Sequence, residues 1–445
     1  MKKILAIALC AIMVIGVLAG CSSQPASNDN ASSTPANNDT PATNDTPATN
    51  DAPVDRDAAV VFDNSSEMLD ASAATADKLA GVKVGFITLH DENSTYDKNF
   101  IDAAKAACEE LGVEYIIKSN VPEGSECFDT AEELIDEGCN VVFADSFGHE
   151  DFMIQAAKAH ADVMFAHATG TKAHTENLAN YHNAFATIYE GRYLAGVAAG
   201  MKLNEMIANG EFTADEAKMG YVGAFPYAEV KSGYTSFFLG ARSVCPTVTM
   251  EVTFTNSWYD EALEKEAANK LINRGCKLIS QHADSMGAPT ACETAGVPDV
   301  SYNGSTVAAC PNTFIVSSRI NWVPFYKNMI VAQATGQKLS ADWTGTLGNG
   351  AVELSEINDK AAAAGTAEKL EEVKAALIAG NTKVWDTSTF TVGGQALTSY
   401  KADVNDWGDF TGETESIVDG AFAESVYRSA PSFDIDIDGI TNIDA

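Results

Sequence analysis

Basic residues are scarce in this chain. Its 445 residues include 28 Lys and Arg against 62 Asp and Glu, which gives a formal net charge of −34. A polyanion needs a basic protein surface to bind, so this composition excludes nucleic acid as a partner and gives no basis for electrostatic attachment to anionic lipid. We interpret the acidity as a surface that keeps the protein in solution in a crowded, salty exterior.

The sequence also lacks the patterns of catalytic and metal centres. It contains no G-x-S-x-G or H-E-x-x-H motif, and no aspartate cluster follows a predicted strand. Its nine cysteines form neither a C-x-x-C pair nor a zinc-binding pattern. We therefore predict a protein that is not an enzyme and that uses no metal or cofactor.

The cysteines do not form a disulfide framework. Cys10 lies in the predicted leader, Cys21 ends it, and an odd number remains, so we expect buried free thiols and leave one bridge open. The remaining cysteines are Cys108, Cys127, Cys139, Cys245, Cys276, Cys292 and Cys310.

No apolar run has the length of about 20 residues that a membrane-spanning helix needs. The run at residues 4–18 follows Lys2 and Lys3 and ends in Leu18-Ala19-Gly20-Cys21. A basic start, a short apolar core and small residues at the end predict a signal peptide over residues 1–21.

The cysteine at the end of this leader resembles the lipobox cysteine of bacterial lipoproteins. The resemblance implies that Cys21 is acylated and becomes the mature N-terminus, which would anchor the protein by lipid at the extracytoplasmic face of the cell membrane. The alternative is an ordinary signal peptide that happens to contain a cysteine.

Residues 22–75 are predicted to form a disordered tether. Up to about Asp57 the segment consists almost entirely of Ser, Asn, Asp, Thr, Pro and Ala, and residues 38–43 recur as residues 44–49. Such a composition offers too little apolar surface to offset the entropy of ordering it. As a coil it would separate the lipid from the folded domain by roughly 30 Å.

Short apolar strands alternate with amphipathic helices in the rest of the chain. The first half contains predicted strands at 82–88, 113–118, 140–144 and 163–166, with helices at 99–111, 130–137 and 151–160. The second half contains predicted strands at 219–223, 248–254 and 277–281, with helices at 229–244 and 260–274. The pattern predicts an α/β fold with two doubly wound parallel-sheet lobes, whose strand carboxyl ends face a shared cleft.

Aromatic residues occur with carboxylate or amide side chains in the loops that follow these strands. In the first half they include Tyr96 and Phe147, and in the second half Trp258 near Asn256. Flat rings with hydrogen-bonding neighbours suit a planar, polar heteroaromatic ligand.

The chain resembles the basic membrane protein (BMP) family in several motifs that occur in the expected order. They are His167-Ala168-Thr169-Gly170, Tyr189-Glu190-Gly191-Arg192-Tyr193-Leu194-Ala195-Gly196, Asn256-Ser257-Trp258-Tyr259-Asp260, Gln281-His282-Ala283-Asp284-Ser285 and Ser146-Phe147-Gly148. The resemblance covers about residues 80–350 and implies a periplasmic-binding-protein type I fold with a hinge. It also implies a lipoprotein that binds a purine base or nucleoside and delivers it to an ABC permease.

Two stretches depart from the family pattern. His90-Asp91-Glu92-Asn93 replaces a longer, glycine-rich first loop, and Tyr302-Asn303-Gly304-Ser305-Thr306 also differs from what the family leads us to expect. Base and nucleoside therefore both remain open as ligands.

The resemblance implies that Tyr96 packs on the base, and we expect Trp258 to form the opposite wall. Asp284 would accept hydrogen bonds from the ligand's amine, ring N–H or ribose hydroxyls. The alternatives are a core position for Trp258 and a helix N-cap for Asp284. The predicted ligand-binding set is Tyr96, Ser146, Phe147, Glu229, Asn256, Trp258, Asp284 and Tyr302, with His90, His167 and His282 as further candidates.

Type I receptors cross between their lobes three times. We therefore expect lobe 1 to comprise residues 76–186 and 317–345, and lobe 2 to comprise residues 187–316 and 346–430. In a long helix at the start of lobe 2, Gly191, Gly196 and Gly200 form a small-residue face, which predicts close packing on a sheet.

The last residues are predicted to be additions to this frame. A hairpin is expected within residues 387–398 and an acidic tail at residues 431–445. Asp434-Ile435-Asp436-Ile437-Asp438-Gly439 reproduces half of a calcium loop but lacks its bidentate Glu, and it also fits an edge strand.

Two other functions are compatible with the predicted fold. A sensor or adhesin would present the same lobes to a partner protein, and the tether permits that equally well. A purine-salvage hydrolase is disfavoured because its catalytic motifs are missing.

Overall fold

The computed structural model describes residues 60–407 and 410–444. The predicted signal peptide, Cys21 and the predicted tether as far as residue 59 lie outside the described residues. Within the described ranges, no helix is both long and apolar enough to cross a membrane. The seven cysteines from Cys108 to Cys310 are all buried and free.

Strands and helices alternate along most of the described chain. The strands are β1 Asn64–Ser65, β2 Lys83–Ile87, β3 Glu114–Lys118, β4 Val141–Ala144, β5 Met164–Ala168, β6 Tyr181–Ala186, β7 Lys218–Gly223, β8 Thr249–Phe254, β9 Leu278–His282, β10 Asp299–Tyr302, β11 Phe314–Ile320, β12 Asp342–Gly345, β13 Val352–Leu354, β14 Lys401–Ala402, β15 Thr414–Glu415, β16 Ile417–Val418, β17 Ala421–Phe422 and β18 Ile440–Asn442. The helices are α1 Ala76–Leu79, α2 Thr95–Leu111, α3 Ser125–Asp136, α4 Glu150–Ala159, α5 Ala173–Glu176, α6 Ile188–Ala208, α7 Ala228–Val244, α8 Glu261–Asn273, α9 Gly287–Ala295, α10 Val323–Thr335 and α11 Thr366–Ile378.

Two seven-stranded sheets form the two lobes, and they confirm the predicted α/β fold. The lobe 1 sheet has the order β1-β12-β6-β5-β4-β2-β3, and all of its pairs are parallel. The lobe 2 sheet has the order β13-β11-β10-β9-β7-β8-β18, with only the β11–β13 pair antiparallel. Central strands such as β4 are buried at every residue, as expected for a parallel sheet covered by helices.

The chain passes between the lobes after β6, between β11 and α10, and again between β12 and β13. The expected second crossing, at residue 317, is placed too early because Phe314–Ile320 is one continuous strand. Its residues Ser317 and Ser318 pair with β10 of lobe 2. At the last residue of this strand, the Asn99 side-chain amide of lobe 1 donates to the Ile320 carbonyl at 2.6 Å.

The predicted tether is too long at its C-terminal end. β1 pairs with β12 at the edge of the lobe 1 sheet. The Trp343 indole N–H donates to the Glu67 carbonyl at 3.1 Å, and the Leu69 amide donates to the side-chain oxygen of Asn328 at 2.9 Å. Residues 64–69 therefore belong to lobe 1, because their backbone groups pair with it.

The predicted acidic tail is also wrong, since this segment is part of the fold. Phe433, Ile435 and Ile437 are buried in the main core, and β18 adds a parallel strand beside β8. Ile435 and Ile437 point into the core, but residues 434–439 are not the edge strand that their alternation with Asp suggested. That strand is β18, at Ile440–Asn442. The hairpin expected at 387–398 is reduced to a tight turn closed by the Val392–Gln395 bridge.

The small-residue face of α6 packs mainly on a helix. A β-carbon added at Gly196 would collide with the Phe237 carbonyl of α7, and one at Gly200 would collide with the Ala241 carbonyl. Gly191 instead faces Val352 and Ser318 of the sheet. The expectation of packing on a sheet thus holds for Gly191 alone, because α7 runs directly against the other two glycines.

We predict that Gly196→Ala lowers the free energy of unfolding by about 1–3 kcal/mol, because the methyl group has no space between α6 and α7. Chemical denaturation of the purified variant measures the change. Gly81→Ala is the matched control, since its nearest neighbour, the Lys78 carbonyl, would lie 3.5 Å from the new β-carbon. Equal losses in the two variants would contradict the packing argument.

Candidate functional site

A narrow, largely enclosed cavity lies between the carboxyl ends of the two sheets. Parallel strands place the loops that follow them at one edge of the sheet, so each lobe presents several such loops to the cavity. Lobe 1 contributes Leu89, His90, Tyr96, Asp97, Ser146, Phe147 and Thr169, and lobe 2 contributes Glu229, Trp258, His282 and Asp284.

The two lobes touch across this cavity. The Thr95 amide at the start of α2 donates to the Asp284 carbonyl at 3.0 Å. The rings of Phe147 and Tyr227 stack with centroids 5.7 Å apart, and the His90 and Tyr259 rings lie 5.4 Å apart. The structure is therefore the closed arrangement of the lobes.

Six of the eight predicted ligand-binding residues line the cavity. Tyr96 from lobe 1 and Trp258 and Asp284 from lobe 2 share one enclosure, as the predicted clamp requires. The other three are Ser146, Phe147 and Glu229.

Asn256 and Tyr302 do not line the cavity. Asn256 is an exposed turn residue with a φ of 56°, and its amide donates to the Ala224 carbonyl at 2.8 Å. Tyr302 is buried one layer behind the cavity, under the guanidinium of Arg192. Asn256 has a left-handed backbone conformation, which asparagine tolerates better than most residues. The Tyr302 ring lies 4.6 Å from the ring of His282, which lines the cavity in its place.

The ring of Tyr96 is held in place at both ends. Its hydroxyl donates to the Asp145 carbonyl at 2.8 Å, and its ring lies 4.7 Å from that of Phe100. The sequence suggested a helix beginning at residue 99, but α2 begins at Thr95, because the Ser94 hydroxyl caps it by accepting from the Asp97 amide. The earlier start fixes Tyr96 on the first turn of the helix.

Trp258 belongs to a group of three rings on lobe 2. The Phe225 ring meets Trp258 edge-on at 5.0 Å and stacks on Tyr227 at 5.2 Å. Phe225 and Tyr227 are not among the predicted site residues. Their position directly after β7 is the signal that could have found them.

The Asp284 carboxyl group has no protein partner in the described part of the chain. It is only 5% exposed, and no donor of those residues makes a hydrogen bond to its side-chain oxygens. Burial, with the nearby Asp97, Glu264 and Glu229 carboxylates, raises its pKa well above the ordinary value. It does not cap α9, because the Ser285 hydroxyl accepts the Gly287 amide at 3.0 Å.

Asp97 is a cavity residue that sequence reasoning missed. Burial alone would raise its pKa, but hydrogen bonds from His90 and Ser94 and the charge of His90 hold the pKa below its ordinary value. The Ser94 hydroxyl donates to it at 2.6 Å and the His90 amide at 2.7 Å. The S-x-x-D pattern of Ser94 and Asp97 is the helix-start signal that could have revealed it.

Glu229 and His282 form a pair at the lobe 2 wall. Glu229 Oε1 lies 3.3 Å from His282 Nε2, and burial, opposed by Glu229 and reinforced by the charge of Arg192, lowers the pKa of His282 to about 4. The ring is therefore neutral near pH 7, and its Nε2–H donates to the carboxylate. This leaves Glu229 with free acceptor positions toward the cavity.

Arg192 is a buried cation behind this wall. Its guanidinium lies 3.4 Å from the Tyr302 ring centroid and donates to the Gln281 carbonyl at 3.0 Å. Its Nε and Nη2 have no partner among the described residues. The charge of Arg192 acts on the cavity, because it opposes the burial that raises the pKa of Asp284.

His167 supports the lobe 1 wall from behind and does not line the cavity. Its Nε2–H donates to the Ser146 carbonyl at 2.6 Å, and burial lowers its pKa to about 3, which keeps the ring neutral. The Ser146 hydroxyl donates to Glu123 at 2.6 Å, so toward the cavity it acts as an acceptor.

Two parallel α/β lobes that close on a polar, ring-lined cavity define a solute-binding protein of the periplasmic-binding type. A family model described as "Bmp: ABC transporter substrate-binding protein PnrA-like" matches residues 84–382. The chain belongs to this family, which confirms the resemblance seen in its motifs. It is thus an extracytoplasmic binding protein of an ABC transporter, not an enzyme, and its partners are a small-molecule ligand and a permease.

Relatives and solved structures agree with this assignment. A purine-binding protein of Brucella abortus is 34% identical over 264 residues, which cover 58% of this chain and 70% of that protein. A putative ABC transporter glucose-binding protein of Haloferax volcanii is 36% identical over 195 residues, covering 44% of this chain and 46% of that protein.

Two solved structures show the fold. A solute-binding protein of Aeropyrum pernix K1 aligns with a TM-score of 0.58 at 16% identity, covering 68% of this chain and 92% of that one. One from Conexibacter woesei aligns with a TM-score of 0.55 at 19% identity, covering 68% of this chain and 98% of that one.

Proposed function

We propose that this protein captures a purine base or nucleoside between its lobes and delivers it to the permease of an ABC importer, while a lipid on Cys21 anchors it to the membrane. The observation that carries the proposal is one cavity that combines rings from both lobes with the unpartnered carboxyl group of Asp284. A flat ligand would lie between Tyr96 and Trp258, and its N–H groups would donate to Asp284. The relative from Brucella abortus, named for purine binding, supports the same ligand class.

Glucose is the competing ligand, because the relative from Haloferax volcanii is named for it. The Brucella abortus relative is matched over 70% of its own length, against 46% for the Haloferax volcanii relative, which favours the purine. The cavity lining includes three carboxyl groups and several rings, but neither Lys nor Arg. This set suits a ligand that carries N–H or hydroxyl donors, and it opposes an anionic one such as a nucleotide.

Native mass spectrometry of the protein as purified tests the proposal directly, and titration calorimetry with adenine, adenosine and glucose follows it. We expect a retained mass, or a heat of binding, for adenine or adenosine. A hexose in the purified protein, or heat with glucose alone, would replace the purine while leaving the transport class intact.

Trp258→Ala and Asp284→Asn should each weaken purine binding at least tenfold, about 1.4 kcal/mol. The first variant removes a stacking wall, and the second removes an acceptor that the ligand's N–H groups would use. Calorimetric titration gives the dissociation constants. Asp91→Asn serves as the control, because Asp91 follows the cavity residue His90 on the same loop but accepts from the Asn93 amide and does not line the cavity. Wild-type affinity in Trp258→Ala or Asp284→Asn would remove that residue from the site.

Purine binding should also release protons in the pH range where the Asp284 carboxyl group keeps its proton in the ligand-free protein. The pKa of Asp284 is raised in the protein, and donors from a ligand would favour its charged form and so lower that pKa. Affinity should therefore rise with pH up to the raised pKa. Calorimetry in buffers of different ionisation enthalpy measures the number of protons released, and Asp284→Asn should abolish the release. A wild-type protein whose binding enthalpy is the same in every buffer would contradict the argument.

A further inference from the structure

Residues 383–438 lie beyond the family match, and the structure describes all of them except 408–409. We call this segment the strap. It carries two short antiparallel pairs, β14–β15 and β16–β17, and is not a strand of either main sheet.

The strap is anchored to lobe 2 along α7. The buried Ser232 hydroxyl donates to Glu424 at 2.7 Å. Lys231 pairs with Asp434 at 2.8 Å, and the Arg242 guanidinium donates to the Thr389 carbonyl. These contacts, together with the buried aromatic and aliphatic residues of the strap, make it a fixed part of lobe 2.

The same strap also contacts lobe 1. The amide and the hydroxyl of Ser429 both donate to Asp342 Oδ1 of β12 at 2.8 Å, and both residues are fully buried. The Asn64 amide group donates to the Ser425 carbonyl at 2.9 Å. At the cavity side, the Thr171 hydroxyl donates to Asp406 at 2.7 Å, two residues from the cavity residue Thr169.

The turn that reaches lobe 1 is internally braced. The buried Arg428 guanidinium donates to the carbonyls of Val404 at 3.0 Å and Pro431 at 2.9 Å. Glu424 accepts the Ser432 amide at 2.9 Å. The chain thus leaves lobe 2 at Glu424, reaches lobe 1 at Ser429 and returns by Ser432 as a stiff loop.

We propose that the strap is a latch that holds the two lobes in the closed arrangement. Opening the cleft would require lobe 1 to give up the Ser429–Asp342 and Thr171–Asp406 hydrogen bonds, while the strap stays on α7. Buried hydrogen bonds oppose opening because their groups lose partners unless water replaces them. The strap therefore shifts the equilibrium toward closure and slows the release of whatever the cavity holds.

Small-angle X-ray scattering of the purified protein without added ligand tests the latch. The double variant Ser429→Ala/Asp406→Ala should have a larger radius of gyration than the wild type, whose radius should match the closed structure. Thr391→Val is the matched control, since it removes a hydroxyl bond to Asp438 within the lobe 2 side of the strap. With adenine as the probe, dissociation should be about tenfold faster in the double variant, a change of about 1.4 kcal/mol.

A cooperative thermal unfolding transition checks that each variant is folded. If the double variant does not fold, the single variants Ser429→Ala and Asp406→Ala are measured in its place. A folded variant with the wild-type radius overturns the latch, as does a control that expands equally or a wild type that is already open. The scattering result does not depend on the ligand, so failure of the latch and failure of the purine assignment are distinguishable.

Discussion

Parallel pairing of buried strands is the constraint from which the rest of this protein follows. Strands such as β4 and β9 are buried at every residue, so both faces must be covered by helices and the chain must cross over after each strand. Every crossover loop at the carboxyl ends then lies on one edge of its sheet. Two such edges face each other, and Tyr96, Trp258 and Asp284 meet because their loops follow strands of opposite lobes.

Closing those edges together takes polar groups out of water. The cleft encloses Asp284 without a protein donor, beside Asp97, which His90 and Ser94 keep charged. A buried carboxyl group without a donor opposes closure, whereas stacking rings from both lobes favour it. A ligand with N–H donors gives the buried carboxyl group its missing hydrogen bonds, and a flat face lets the ligand stack on the rings of both lobes. Such a ligand therefore binds the closed state better than the open one.

The alternation of strands and helices could be predicted from the sequence because it depends on local apolar patterns. Tyr96, Trp258 and Asp284 could be chosen because they follow predicted strands in motifs that resemble a known family. Asn256 looked like Trp258 in its sequence position, and only the backbone conformation of its turn, with a φ of 56°, separates them. The end of the fold could not be predicted either. Its Asp residues suggested a solvated tail, and only tertiary packing against α7 shows that Phe433 and its neighbours are buried.

The strap and the cavity act on the same equilibrium in opposite directions. Burying Asp284 favours the open lobes, and the hydrogen bonds of Ser429 to Asp342 favour the closed ones. With the strap alone, the lobes would close whether or not the correct ligand is present. With the buried carboxyl groups alone, the closed state would have low stability even when a ligand is bound. With both, the strap holds the ligand-free lobes together, and the correct ligand adds to the stability of the closed state because it supplies the donors that Asp284 lacks. Each increment of about 1.4 kcal/mol in that stability changes the ratio of closed to open lobes tenfold.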